Sequence, residues 1–156
     1  METQNANAID TILAALPLES YRAGDTVLKA GSKTGRLFVL KQGAIAVFVD
    51  DVEIARVEEP RAIFGELSAL LDEPHTADVR TLKDSQFYVA DAMALAKNPT
   101  MMFHVARILG RRLVVANTGL VELKKGLHAG QPPGVLRKMV DNIQRMLSVG
   151  GSSFEQ

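Results

Sequence analysis

Between Ser20 and about Asp91 the apolar segments are short and closely spaced, which no long-helix fold accommodates. They read "DTVLKAG", "RLFVLKQG", "AIAVFVDD", "VEIARVEE", "ADVRT" and "SQFYVAD". Val, Ile, Phe and Thr are frequent in them, and Gly, Asp, Lys and Pro separate them. Such residues suit a pleated, half-buried surface, and "FVDDVEI" places a tight hairpin turn at Asp50-Asp51. Short strands with turn signals about every 8–12 residues predict a small barrel or jelly roll.

Helical patterning flanks this region on both sides. In "AIDTILAAL", Ile9, Ile12, Leu13 and Leu16 fall at i, i+3, i+4 and i+7, predicting a short amphipathic helix stopped by Pro17. Asn98-Pro99 is a helix start, an N-cap followed by proline at the first helical position. From there Met102, Ala106, Leu109, Leu113, Ala116, Leu120, Leu123 and Leu127 alternate spacings of four and three. This heptad seam predicts a helix over about 99–126 that packs on its own barrel near the start and pairs in parallel with a second copy further along; the alternative is that the seam only packs on the barrel. Gly126 and "HAGQPPG" are read as its end. A terminal helix follows over 135–148, with Leu136, Met139, Val140, Ile143 and Leu147 on one face. Residues 1–126 thus form the main unit and 127–156 a linker with an amphipathic helix. That helix carries Arg137, Lys138 and Arg145 opposite its apolar face, so it either folds back on the barrel or docks on a protein partner.

Composition narrows the function classes. Eighteen basic residues balance eighteen acidic ones, which gives no general field for nucleic acid. The chain has no cysteine, so disulfides and Cys-rich zinc sites are excluded, and a reducing cytoplasmic setting is expected. His75, His104 and His128 are scattered, so no metal site is expected. No basic-then-apolar leader opens the sequence and no apolar run approaches membrane-spanning length.

The segment "FGELSALLDEPHTADV", Phe64 to Val79, carries the most chemistry. A Gly-Glu pair opens one or two helical turns, a proline ends them, and a strand of small residues follows. Taken with "YRAGDTVLKAG", "RLFVLKQGAIAVF" and the long helix, this order resembles the cyclic nucleotide-binding domain, most of all the Crp/Fnr class of bacterial regulators. The resemblance covers roughly Ala8 to Lys125. It implies a mainly β fold with helices: a jelly-roll β-barrel, a short N-terminal helix, and a long C-terminal dimer helix.

It also implies ligand-binding roles for Gly65, Glu66, Leu67, His75, Thr76 and Asn117, with cAMP or cGMP as ligand and no further cofactor. Gly65 lets backbone approach the cyclic phosphate, Glu66 accepts a hydrogen bond from the ribose 2′-hydroxyl, and Thr76 reaches phosphate or base. The "RRLVVAN" segment places Ala116 and Asn117 near the adenine across the dimer.

The departure is His75, which stands where the family has its phosphate-binding arginine. A guanidinium offers five donors in a fixed, permanently charged fork; an imidazole offers one or two and is mostly neutral at pH 7. The exchange costs about 2–4 kcal/mol of ligand affinity. If a nearby phosphate raises the His75 pKa, binding tightens at mildly acidic pH. Asp78 either repels the phosphate or points away; on a strand it shares a face with Thr76 and Arg80, and pairs with Arg80.

The expected function is a non-catalytic cyclic-nucleotide sensor; the alternative is a dimeric scaffold whose pocket is vestigial. Only about 30 residues follow Gly126, with no basic stripe, so direct operator reading is not expected. No nucleophile triad, metal set or phosphate loop of the GKS/T type supports an enzyme.

Overall fold

A computed structural model describes residues 2–148. Its core is a jelly roll of two facing four-stranded sheets, open at their edges where a closed barrel was one expectation. In chain order the elements are α1 (Glu2–Ala14), β1 (Leu18–Tyr21), β2 (Thr26–Leu28), β3 (Arg36–Gln42), β4 (Ile45–Val49), β5 (Val52–Val57) and β6 (Ile63–Phe64). Then come α2 (Glu66–Leu71), β7 (Asp78–Thr81), β8 (Ser85–Asp91), α3 (Ala92–Ala96), α4 (Pro99–His128) and α5 (Pro133–Ser148). One sheet runs β1-β8-β3-β6 and the other β2-β7-β4-β5, with every adjacent pair antiparallel.

The strand β3 shows why this sequence builds layers. Its run Leu37 to Leu40 is buried throughout. Phe38 and Leu40 face the other sheet and join Phe87, Val47 and Val57 in the inter-sheet core. Leu37 and Val39 point the other way, under Leu13, Leu95, Met101 and Val105 from the helices. A strand covered on both faces needs an unbroken apolar run rather than an alternating one. In the β4–β5 hairpin, Asp50 (φ 50) and Asp51 (φ 61) are both left-handed, the conformation of a two-residue type I′ turn. The expected hairpin is therefore in place.

The long helix starts as expected. The Asn98 side chain accepts a hydrogen bond from the Met101 N–H at 3.0 Å, and Pro99 fills the first position. Its end differs. Gly126 does not stop α4; it lies inside the helix, buried beneath α5, and the turn comes at 129–132. The reason is close packing: a Cβ on Gly119 would stand 2.5 Å from Ile143, and one on Gly126 3.0 Å from Leu136. Two glycines seven residues apart notch α4 so that α5 lies in it. The terminal helix thus folds back, packing on α4 and on β5, which is the first of the two placements considered for it.

The heptad seam divides in two. Met102 and Leu109 are half-buried, whereas Leu113, Leu120 and Leu127 remain 62%, 64% and 66% exposed. No helix among the described residues is long and apolar enough to cross a membrane.

Candidate ligand-binding site

A cavity of about 380 Å³ opens between the β2-β7-β4-β5 sheet, α2 and the long helix. Leu28, Val47, Ile54 and Val79 supply an apolar floor, and Gly65, Glu66, Leu67, Ser68, His75, Thr76 and Ala77 form one wall. Five of the six residues expected at the site therefore meet. The sixth, Asn117, is exposed on α4 and lies outside this lining. Leu147 from α5 and Arg112 from α4 complete the wall.

Gly65 caps α2 with φ 79. A Cβ there would lie 2.7 Å from the Arg36 carbonyl oxygen and 3.1 Å from the His75 ring. Both the left-handed turn and the close backbone approach require glycine. Glu66, next in the chain, is 7% exposed. Its carboxylate forms an ion pair with the Arg112 guanidinium, which also donates to the Ile63 carbonyl oxygen at 3.0 Å. Arg112 Nε is buried and has no hydrogen-bond partner among the described residues.

The His75 backbone is pinned on both sides: its carbonyl accepts from Gly31 N–H and its N–H donates to Ser32 O, each at 2.8 Å. The ring is buried at 6% exposure, and Nε2 shares a 2.7 Å hydrogen bond with the Thr34 hydroxyl. Burial pushes the imidazole pKa down, and the Glu66 carboxylate only partly opposes this. The expectation of a charged His75 at mildly acidic pH thus meets a site that favours the neutral ring. Asp78 is turned away from the cavity. It accepts from Ala30 N–H at 2.7 Å and from Arg80 at 2.8 Å, and these bonds hold its pKa down. The expected Asp78–Arg80 pair is present, and the phosphate repulsion it raised has no basis in this geometry.

His104, on α4, is likewise pushed down, by burial first and then by Arg61, Arg107 and Arg111. Both histidines have folded-state pKa values below the unfolded value near 6.5. Below that value the unfolded chain binds more protons, so their contribution is complete above about pH 6.5 and is lost as pH falls through the folded values. We expect a lower urea midpoint at pH 5.0 than at pH 7.5, and a smaller difference in the double variant His75→Gln, His104→Gln.

Sequence reasoning missed Arg112. The signal was present: Met101, Val105, Ile108, Arg112, Val115 and Gly119 are spaced four and three apart, and Arg112 is the one charge in that buried stripe. Among the described residues no cluster of His, Cys, Asp and Glu is suited to a metal ion.

Comparison with known proteins identifies the domain. The family model described as "Cyclic nucleotide-binding domain" matches residues 18–97. The chain is 37% identical over 68 residues to a cGMP-dependent protein kinase of Plasmodium berghei, covering 44% of this chain and 8% of the kinase. It is 29% identical over 128 residues to Glutaminase 1 of Bradyrhizobium diazoefficiens, covering 75% of this chain and 20% of that protein. The chain thus spans a small part of these relatives' length. Among solved structures, the Thermus thermophilus catabolite activator protein superposes with a TM-score of 0.66 at 19% identity, over 91% of this chain and 79% of that one.

Proposed function

The chain belongs to the cyclic nucleotide-binding domain family, and on that premise we propose that it is a non-catalytic sensor taking cAMP or cGMP into the 380 Å³ cavity. The observation that carries this reading is the convergence of Gly65, Glu66 and Thr76 on a cavity with an apolar floor. An apolar chamber with a few placed polar groups suits a purine nucleoside, its ribose hydroxyl meeting the Glu66 carboxylate. Position 65 admits a ligand to within backbone distance because it has no side chain. Thermal melting with millimolar cAMP or cGMP tests it. Ligand at about 100 times its dissociation constant stabilises the folded chain by about 2.7 kcal/mol, a rise of several degrees. No rise with either nucleotide defeats the proposal.

That negative outcome would favour the scaffold reading, which also has an observation behind it. Glu66 is already engaged by Arg112, and His75 by Thr34, so the wall satisfies much of its own polarity.

In either case the chain acts as a parallel homodimer through α4. Leu113, Leu120 and Leu127 present an exposed apolar ridge at seven-residue intervals, the spacing of a coiled-coil seam. A charge at the centre of such a seam opposes pairing. We expect native mass spectrometry to find a dimer for the unaltered chain and a monomer for Leu120→Glu.

A further inference from the structure

We propose that the flank of α4 turned away from the leucine ridge forms, with α5, a docking surface for an amphipathic helix of a partner protein that carries acidic residues at one end.

Two hollows open on this flank. The larger, about 730 Å³, lies between α4 and α5, where Val114, Val115, Met139, Ile143 and Met146 line it beside Gly119. The smaller, about 340 Å³, lies between α1 and the start of α4 and is lined by Ile9, Phe103, His104 and Arg107. His104, Arg107, Arg111, Val114, Thr118 and Glu122 are spaced three and four apart, so they share one face of α4. Each of them lines one of the two hollows. The face therefore continues from one hollow to the other over about 18 residues, or about 27 Å of helix. A ligand of nucleotide size covers only part of that length, whereas a helix of the same length covers it all. At 3.6 residues per turn, Leu113 and Leu120 stand about 200° round α4 from Arg111 and Thr118. Pairing through the ridge thus leaves this flank open.

The two ends differ in chemistry. Burial lowers the His104 pKa, and Arg61, Arg107 and Arg111 each lower it further, which marks a local excess of positive charge. No carboxylate lines the hollow at that end. At the other end the lining is mainly apolar and open to solvent: Val114 is 64% exposed and Met146 43%. A groove between two helices receives the apolar stripe of a third, and flexible methionines adapt to its side chains. Carboxylates at the end of that helix then meet the arginines. A flat bilayer does not fill a concave groove, and beyond Arg111 the groove offers a phosphate backbone no cation.

The test is a selection from displayed 18-residue peptides with Leu, Ile or Met at i, i+3, i+4 and i+7 and Glu, Lys or Ser free elsewhere, run on the full chain without nucleotide. We expect enrichment of peptides with Glu clustered at one end. By fluorescence anisotropy, the affinity of the best of them should fall at least about 10-fold in Val114→Glu and in Arg107→Glu. It should hold in Lys83→Glu, an equal charge reversal outside both hollows. Val114 and Arg107 are exposed, so both substitutions leave the core intact, and unchanged melting temperatures check this. Failure to enrich any peptide, enrichment without regard to charge, or binding indifferent to both substitutions overturns the proposal. So does sedimentation with phosphatidylserine vesicles that Val114→Glu abolishes, which assigns the surface to a membrane. A tetramer in native mass spectrometry that Val114→Glu reduces to a dimer also overturns it, assigning the surface to further copies of the chain.

Discussion

Glu66→Ala should cost the fold about 3–5 kcal/mol, because it leaves the largely buried Arg112 guanidinium without its counter-ion. The Arg112 side chain is 17% exposed and that of Glu66 9%, so little water is available to replace the lost partner. The loss is a large share of the roughly 5–15 kcal/mol that holds a domain folded. Exposed ion pairs here behave differently. Arg56 with Glu53 lies at the surface, where solvent screens the pair and breaking it shifts stability little. Chemical denaturation of Glu66→Ala beside Glu53→Ala measures the contrast directly. Equal midpoints for the two would show that the Glu66–Arg112 contact carries no special weight. Glu66→Gln should fall between them, since an amide still accepts from the guanidinium but brings no charge.

Gly65→Ala is expected to destabilise by about 2–5 kcal/mol and to abolish ligand binding together with it. The left-handed turn costs an L-residue about 1–2 kcal/mol. The added methyl also meets the Arg36 carbonyl oxygen at 2.7 Å, and overpacking of that kind costs about 1–3 kcal/mol. That oxygen belongs to backbone and cannot swing aside as a flexible side chain would. A control is available at Gly31, which also has a positive φ of 83 but open space around its missing Cβ. Gly31→Ala should pay only the conformational part. If both alanines cost the same, the steric contact at position 65 has been overrated.

Much of this was legible in the sequence because the signals were local. The Asp50-Asp51 turn, the Asn98-Pro99 helix start and the Gly65-Glu66 pair each act through neighbouring backbone, and each stands where its residue types place it. What escaped was tertiary. Gly126 reads as a helix terminator from local propensity, yet its function is to admit Leu136 of a helix that the sequence does not place against it. The spacing of Arg112 in the apolar stripe of α4 hints at burial, but names no partner for it. Only the assembled fold brings it to Glu66 and the Ile63 carbonyl, some forty-six and forty-nine residues away in sequence. His75 keeps its predicted place, but its protonation preference comes from burial, and its ring is held by Thr34, forty-one residues away in sequence.

The two glycine notches in α4 have a mechanical consequence. Because α5 is seated in them and brings Leu147 to the cavity wall, the place of that leucine in the chamber depends on two glycines outside it. Filling either notch with a side chain would push α5 off α4 and displace Leu147, with every other residue of the chamber wall unchanged.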